Sequence, residues 1–334
     1  MSRRGIIVGG VALTDRIMKL QSFPGEGSLV DIGETTFAPG GALCNVLLDL
    51  SVLDASIPLR GIGIVGTDAM GELTYKALTG AKGADLTGIR RAGAGSYTDV
   101  YESEKSHQRT FFHQRGANAL LDVDAFDFRN CTEKIFYIGY IMLLDTLDSE
   151  DPQYGTRMAR LLHNAREAGL LTCVDVVSLQ SGRFRAVATP SLRYTDLCVI
   201  NETEAQNITG IPLRGGGGKL LEHNMEPALH RLMEGGVSTW AIIHAPEASF
   251  GLERGGSMIR QQSPRLPDGF IQGTVGAGDA FCAGVLCIAH QGGGLAQAMR
   301  AATAAACASL RRLGATEGLM PLADVLRLLE QLGP

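Results

Sequence analysis

The stretch Gly273-Thr274-Val275-Gly276-Ala277-Gly278-Asp279-Ala280-Phe281 joins a glycine-rich loop to the start of an apolar segment. Its glycines permit a tight turn and a close approach of the backbone to a ligand. The small apolar residues 280–289 predict a buried helix. Because a helix N-terminus presents unpaired N–H groups and a partial positive charge, it suits a phosphate or a developing oxyanion. The stretch therefore predicts an anion site at the start of a helix.

Asp279 has two interpretations within this stretch. A carboxylate beside a phosphate site can accept the proton of an attacking hydroxyl, as a general base does. Aspartate is also a common helix N-cap, and local features leave the two interpretations equally open. Loop, helix start and carboxylate together favour phosphoryl transfer.

Bulk composition limits the classes of function. The chain has 334 residues, of which 45% are hydrophobic and 19% charged, as in an ordinary globular protein. A net charge of −5 argues against a nucleic-acid partner, which requires a basic face. The seven scattered cysteines form no C-x-x-C pair and predict reduced, buried thiols in a cytoplasmic protein rather than a zinc site. The most apolar segment, residues 135–144, is too short to span a membrane.

Most of the chain alternates between apolar strands and helices. This pattern predicts one α/β domain with a mostly parallel sheet covered on both faces. The predicted strands are residues 5–9, 59–65, 134–139, 171–177, 196–200 and 239–244. The predicted helices are residues 42–53, 69–78, 154–168, 202–209, 225–234, 279–290, 295–313 and 321–332.

Four more polar segments do not fit this rhythm. Residues 16–21 and 34–38 show the alternation of half-buried strands, and residues 97–103 and 108–114 read as a hairpin with its tip at 104–107. We expect them to meet in a small separate sheet, a flap over the site, formed by about 15–39 and 96–115.

Asn201 and Glu204 follow a predicted strand directly. Ligand sites of open α/β sheets gather at the carboxyl ends of strands, where such side chains could hold Mg²⁺, directly or through water, against nucleotide phosphates. An equally open alternative is a helix N-cap with acidic residues in the first turn.

Further polar residues are candidates for substrate contacts. Asp15, Gly40, Gly41 and Asn45 could hydrogen-bond a polyhydroxylated substrate, although turn chemistry is the favoured explanation from local sequence alone. Arg109 and Arg115 flank a flap strand and could touch a substrate if the flap closes, although solvated side chains are the favoured interpretation. His244 ends a strand, where it could approach a nucleotide or, equally, be a structural strand-end histidine.

Two glycine motifs carry less weight. Residues 61–66 match G-x-G-x-x-G, but the glycines fall within the predicted strand rather than between a strand and a helix, which disfavours dinucleotide binding. Gly218-Lys219 is not a phosphate-binding P-loop, because Leu220 stands where Ser or Thr is required.

The ordered motifs resemble those of the ribokinase-like sugar kinases, the PfkB family. Gly-Gly with a downstream Asn, then Asn-x-x-Glu, then Gly-Ala-Gly-Asp-Ala-Phe occur in family order over nearly the whole chain. The resemblance implies a three-layer αβα sandwich with a small β-sheet lid. It also implies transfer of the ATP γ-phosphate to a hydroxymethyl group, with Mg²⁺ as cofactor.

The resemblance further implies roles for individual residues. Asp279 is then the general base, and the amides of Gly276, Ala277 and Gly278 form an anion hole. Sugar-binding positions match Asp15, Gly40, Gly41 and Asn45, while Arg115 is similar to a substrate-facing arginine of ketodeoxygluconate kinases. Nucleotide contacts fall to Asn201, Glu204, His244, Thr274, Gly276 and Gly278, with Glu204 organising Mg²⁺ through water.

This sequence departs from the family pattern at three places. Gly273 stands where many members have an aspartate that helps to hold a monovalent cation, so a potassium requirement stays open. Ala42 replaces the lysine of ribokinase itself, which argues against ribose as the substrate. The expected glycine after the late strand is hard to place in residues 244–247, so the adenine pocket is expected to be unusual.

The leading hypothesis is a cytoplasmic ATP- and Mg²⁺-dependent kinase of a small sugar or sugar-like metabolite. The alternatives are a nucleoside kinase of the same fold and a catalytically silent sugar-binding sensor on a kinase scaffold. A homodimer through the lid is also expected, because exposed strand edges need covering.

Overall fold

The computed structural model describes residues 3–105, 109–179 and 182–333. Their strands, in chain order, are β1 (Ile6–Gly10), β2 (Leu13–Leu20), β3 (Ile32–Gly40), β4 (Leu59–Val65), β5 (Asp85–Arg91), β6 (Tyr97–Ser103), β7 (Arg109–Gln114), β8 (Ile135–Ile141), β9 (Glu150–Asp151), β10 (Gly155–Thr156), β11 (Leu171–Val176), β12 (Leu197–Asn201), β13 (Trp240–His244), β14 (Ala248–Glu253) and β15 (Ile259–Gln262). The α-helices are α1 (Ala42–Leu53), α2 (Ala69–Leu78), α3 (Arg157–Glu167), α4 (Phe184–Leu192), α5 (Glu202–Thr209), α6 (Met225–Glu234), α7 (Ala277–Gln291), α8 (Leu295–Ser309) and α9 (Leu322–Leu332).

The large sheet has the strand order β15-β14-β13-β12-β11-β8-β1-β4-β5 within the described residues. Its strands from β13 to β5 pair in parallel, whereas β14 and β15 form an antiparallel edge. Crossover helices connect most of the parallel strands, because parallel neighbours cannot be joined by a tight turn. The predicted mostly parallel α/β sheet is confirmed.

Two apolar cores lie on opposite faces of this sheet. Alternate residues of β1 separate them: Ile7 packs with one core, while Ile6 and Val8 pack with the other. The first core includes residues of α3–α6, and the second includes residues of α1 and α7–α9. The result is a three-layer αβα arrangement, in which α7 is almost wholly buried from Asp279 to Ala289.

A second, four-stranded sheet has the order β3-β2-β6-β7. β2 pairs antiparallel with β3 but parallel with β6, which in turn forms an antiparallel hairpin with β7. These strands cover most of the four polar segments that did not fit the rhythm of the large sheet. Ser106 and His107 of the predicted hairpin tip, and Gln108 at the start of the predicted strand after it, lie outside the described residues.

Several elements differ from the prediction. β5, β14, β15 and α4 were not predicted: the outer strands are polar or interrupted by glycine, and α4 contains Pro190. α3 begins at Arg157 rather than 154 because Thr156 caps it, and α8 ends at Ser309 rather than 313. β1 is displaced by one residue. These shifts leave the layers unchanged.

All seven cysteines are free thiols, and six of them are buried, as predicted. In the described part of the chain no helix combines the length and apolar character that a membrane crossing requires.

Candidate active site

α7 begins without a side-chain cap. Its N-cap is Gly276, which adopts the left-handed conformation at φ 78°. A Cβ built on Gly276 would lie 2.5 Å from the Cβ of Ala315, so the turn requires glycine for both conformation and space. Since no side chain of the described residues accepts a hydrogen bond at this helix start, its N–H groups remain available to an anion.

Asp279 lies in the first turn of α7 and is not an N-cap, so that interpretation is wrong. Its side chain is 3% exposed and turns toward two other elements. Asn45 Nδ2 donates to its Oδ2 at 2.8 Å, and the Tyr140 hydroxyl lies 2.8 Å and 2.7 Å from its two oxygens. Burial raises the pKa of Asp279, while these donors lower it.

Asp15 projects from β2 of the small sheet toward the start of α1. A Cβ on Gly40 would come within 2.5 Å of Asp15 Oδ2, so Gly40 leaves the space that this carboxylate occupies. Burial, and then the charge of Asp279, raise the pKa of Asp15 to about 7, against the lowering effects of Thr98 and Arg109. Asp15 and Asp279 are thus electrostatic neighbours at the boundary between the two sheets.

The start of α1 adds an amide to this group. Gly41 is its N-cap at φ 82°, and a Cβ there would lie 2.5 Å from the Val11 carbonyl oxygen. One turn into the helix, Asn45 Oδ1 is buried without a hydrogen-bond partner among the described residues. The structure therefore brings Asp15, Gly40, Gly41, Asn45 and Asp279 together.

α5 begins in the opposite way to α7. Asn201 and Glu204 form a capping box: Asn201 Oδ1 accepts from Glu204 N, and Glu204 Oε2 accepts from Asn201 N, both at 2.9 Å. Ser178 Oγ donates to Glu204 Oε1 at 2.9 Å. The N-cap interpretation of Asn201 is correct, and the Glu204 carboxylate completes the cap.

Further buried acids lie near the start of α5 and on α1. Burial raises the pKa of Glu204 to about 7, and burial together with Glu204 raises the pKa of Asp175 well above its usual range. Asp49, one turn along α1 from Asn45, is fully buried, and neither carboxylate oxygen has a hydrogen-bond partner within the described residues. Burial raises its pKa as well.

A cavity of about 430 Å³ lies between the starts of α5 and α7. Five predicted nucleotide or anion residues line it: Asn201, His244, Thr274, Ala277 and Gly278. Much of the remaining wall is apolar, as in many small-molecule sites. His244 stacks on Phe281 with 4.8 Å between ring centroids, and burial lowers its pKa to about 4, so its ring is neutral near pH 7.

A second cavity of about 450 Å³ separates the small sheet from the loop before α7. Glu102, Arg109 and Phe111 line one side, and residues 273–275 line the other. Arg109 pairs with Glu102 at 3.0 Å, yet its Nη1 is buried and has no hydrogen-bond partner in the described parts of the chain. Thr274 borders both cavities, which connects the two halves of the site.

Arg115 lies apart from this group. Its Nη1 donates to the Met142 carbonyl oxygen at 2.8 Å and lies 3.1 Å from Asp145 Oδ1. Across the described residues no hydrogen bond or ion pair joins it to Asp15, Asn45 or Asp279.

Sequence reasoning missed three residues of this site: Tyr140, Asp175 and Asp49. The first two are polar residues near the carboxyl ends of the otherwise apolar strands β8 and β11. That position was a usable signal, because ligand sites gather at this edge of a parallel sheet. Asp49 stands on the buried face of an apolar helix, where a carboxylate is unusual without a partner.

A parallel sheet covered on both faces, with an open helix start, a buried carboxylate and an adjoining cavity at its carboxyl edge, defines the class of α/β small-molecule phosphotransferases. A family model described as pfkB family carbohydrate kinase matches residues 4–322, so the chain belongs to that family. The predicted family is thereby confirmed, and the enzyme class is a phosphotransferase with an alcohol group as acceptor.

Solved structures agree on the fold. The ribokinase of Arabidopsis thaliana complexed with ribose and ATP is 21% identical, with a TM-score of 0.77 over 99% of both chains. A putative ribokinase II of E. coli in complex with ATP and Mg²⁺ is 17% identical, with a TM-score of 0.74 over 99% of this chain and 100% of that one. The nucleoside kinase of Methanocaldococcus jannaschii is also 17% identical, at 0.72 over the same shares. The predicted ribokinase-like architecture is confirmed.

Proposed function

We propose that this protein transfers the γ-phosphate of ATP to a hydroxymethyl group of a small sugar or sugar-like metabolite. One observation carries the proposal: the buried Asp279 carboxylate and the uncapped N–H groups of α7 lie in the same helical turn. A base and an anion site so placed serve an attacking hydroxyl and the phosphoryl group that it attacks.

In the proposed reaction the substrate hydroxyl gives its proton to Asp279 as its oxygen bonds to the γ-phosphorus. The bond between that phosphorus and the bridging oxygen breaks, and ADP leaves with the electron pair. The amides of Gly276, Ala277 and Gly278 stabilise the charge on the transferred group. Positioning and charge neutralisation account for most of the catalysis of such transfers.

The nucleotide is assigned to the cavity between α5 and α7. Its walls combine a helix N-terminus for phosphates with the stacked His244–Phe281 pair and a largely apolar end. The solved E. coli relative with ATP and Mg²⁺ supports this pairing of nucleotide and cation.

Residues at the start of α5 fit an indirectly held Mg²⁺. Burial raises the pKa of both Asp175 and Glu204, and the charge of Glu204 raises that of Asp175 further, so a nearby divalent cation would relieve unfavourable charge. The described residues contain no cluster of three or more acidic, histidine or cysteine side chains able to hold a metal. This agrees with a cation held mainly by phosphates and waters, with Glu204 acting through water. When bound, Mg²⁺ would neutralise phosphate charge.

We assign the acceptor to the space between Asp15, Asn45 and Asp279, beneath the small sheet acting as a lid. Asp15 and Asn45 Oδ1 offer hydrogen-bond acceptors to substrate hydroxyls, and Gly40 leaves room for the Asp15 carboxylate. Arg109 Nη1 is a donor that the lid offers. Arg115 is assigned to the edge of this acceptor space rather than to its centre, because Asp145 and the Met142 carbonyl oxygen already contact its side chain.

A nucleoside acceptor is the second candidate, and Phe111 is the observation that favours it. This ring is 59% exposed and lines the cavity between lid and loop, where it could stack on a base. Phe111→Leu would then raise KM for nucleosides while leaving KM for sugars unchanged.

A panel of sugars, sugar acids, polyols and nucleosides, with coupled detection of ADP, tests the proposal. Release of ADP with one acceptor class, dependent on both acceptor and Mg²⁺, is the expected result. Melting shifts with several sugars but no ADP from any acceptor would instead identify a silent sugar-binding sensor.

We further propose a homodimer through the outer face of the lid, in a reducing cytoplasm that suits seven free thiols. In the lid sheet Phe37 pairs with Arg16, Arg16 with Asp99 and Asp99 with Phe112, so these side chains share one face. Phe37 and Phe112 are 52% and 55% exposed there. Sedimentation should give twice the monomer mass, and Phe112→Ser should lower it. A monomeric mass for the unmodified protein would contradict the dimer.

A further inference from the structure

Tyr140 contacts the proposed base directly, although nothing in the motif that contains Asp279 points to it. It lies near the end of β8, 139 residues from Asp279, and its hydroxyl is within hydrogen-bond distance of both carboxylate oxygens. Asn45 donates to Oδ2 alone. Within the described residues Tyr140 is therefore the one hydrogen-bonding side chain recorded for Oδ1.

The surroundings of Asp279 disfavour its charged form. Burial raises the pKa of this carboxylate, no ion pair of the described residues includes it, and the groups whose pKa its charge raises in turn are acids, phenols and thiols. They are Asp15 on β2, Cys44 and Asp49 on α1, Tyr137 and Tyr140 on β8, Asp175 on β11 and Cys282 on α7. A base that is protonated before the reaction cannot accept the substrate proton, so two uncharged donors must stabilise the anion.

We propose that Tyr140 is a positioning residue for the transfer, whose hydroxyl orients the Asp279 carboxylate and, together with Asn45, keeps it in the anionic form. This inference rests on the proposed function. A tyrosine hydroxyl suits the task because it has one proton to donate and is held by a rigid ring. Its position between the two oxygens sets the plane of the carboxylate and leaves a second lone pair of Oδ1 for the acceptor hydroxyl.

Tyr137 supplies a matched control on the same strand. It is fully buried, and its hydroxyl lies 3.4 Å from Asp175 Oδ2 rather than beside Asp279. Tyr137→Phe and Tyr140→Phe each remove one tyrosine hydroxyl from strand β8. A general effect of losing a buried hydroxyl would therefore affect both variants.

The test measures kcat/KM against pH for the two variants with the best acceptor from the panel. Tyr140→Phe removes an influence that lowers the pKa of Asp279. As the solution is acidified, the variant should then lose activity at a pH about one unit higher than the unmodified enzyme does. At a pH well below both midpoints kcat/KM should be about tenfold lower, and the alkaline plateau should change much less. Tyr137→Phe should leave the acid limb in place.

A double variant separates this inference from the proposed function. If Tyr140 acts through Asp279, Tyr140→Phe should add no further loss to Asp279→Asn. An unmoved acid limb, or a uniform loss at every pH that persists in the Asp279→Asn background, would overturn the role of Tyr140. Near-normal turnover of Asp279→Asn alone would instead overturn the base assignment. Melting temperatures of all variants identify any that fail to fold.

Discussion

Helices α5 and α7 both begin at the wall of the same cavity, but their first turns are completed in opposite ways. At α5 the side chains of Asn201 and Glu204 satisfy each other's backbone N–H groups. At α7 the cap is a left-handed glycine, which has no side chain to accept a hydrogen bond from the helix start. Backbone donors are consumed at the first helix and remain available at the second, so α7 is the helix prepared for an anion.

The same contrast extends to the carboxylates. Glu204 accepts from the N–H of its own N-cap residue as well as from Ser178, whereas Asp279 completes no cap and is held by side chains from β8 and α1. An acid that caps its own helix stabilises the fold, while one held from outside can exchange a proton with a ligand. The two helix starts therefore predict different responses to mutation.

The largest effect is expected at Asp279. Asp279→Asn keeps the shape of the side chain but removes its ability to take a proton, so turnover should fall by about 100- to 10,000-fold. Nucleotide affinity and melting temperature should remain near those of the unmodified enzyme. Steady-state kinetics and nucleotide titration check this, and near-normal turnover would contradict the proposed base.

A smaller loss is expected from closing the open helix start. Gly276→Ala forces a Cβ against Ala315 at a positive φ, which displaces the amides of the turn and should lower turnover by roughly 10- to 100-fold. Gly292→Ala at the other end of α7 is the control, because it has φ 81° but no atom within 4 Å of its Cβ. It should cost about 1 kcal/mol of stability without affecting turnover. Equal kinetic losses in the two variants would remove the special role of Gly276.

At α5 the expected effect is on stability first. Asn201→Ala removes the cap and should cost about 1 kcal/mol, whereas serine at this position is itself a good N-cap and should cost much less. Both variants lose the amide beside Glu204 and should need more Mg²⁺ for half-maximal activity. Denaturant unfolding and a Mg²⁺ titration separate the two effects. If serine restores both properties, Asn201 is a cap and nothing more.

The smallest effect is expected from potassium. A Cβ on Gly273 would lie 2.7 Å from the Arg312 carbonyl oxygen, so the loop into α7 has no space for the aspartate found at this position in many relatives. Without that carboxylate we expect turnover to be the same in potassium and in choline salts of equal ionic strength. A marked activation by potassium would show that another group replaces the missing carboxylate.

The sequence predicts those parts of the structure that depend on interactions between residues a few positions apart, and it fails where residues far apart in the chain interact. Local pattern predicts the bounds of α1, β4 and α5 correctly, because periodicity and caps act within a few residues. Local pattern does not predict polar edge strands such as β5 and β15, because their stability comes from pairing with a neighbouring strand and not from an apolar run.

The candidate site shows the same limit. Its glycines and acids could be named from motifs, but the Asn45–Asp279 contact spans 234 residues and Tyr140 belongs to no motif. The local sequence could not decide whether Asp279 is a helix cap or a base, because its role depends on the atoms that α1 and β8 place beside it. Arg115 was expected at the substrate, whereas its observed partners come from the loop after β8.

The Asp49 carboxyl, which is buried without a hydrogen-bond partner among the described residues, has a thermodynamic consequence for folding. Burial raises the pKa of Asp49, as it does for Asp15 and Glu204, which reach about 7, so these groups bind protons in the folded chain that they release on unfolding. Their contribution to stability is present near pH 4 and is lost as the pH rises toward 7. His113 and His244, with pKa values lowered to about 4, oppose this trend below pH 6.5. Near neutral pH, heat denaturation should therefore liberate protons, and the calorimetric enthalpy should differ between phosphate and imidazole buffers according to their heats of ionisation.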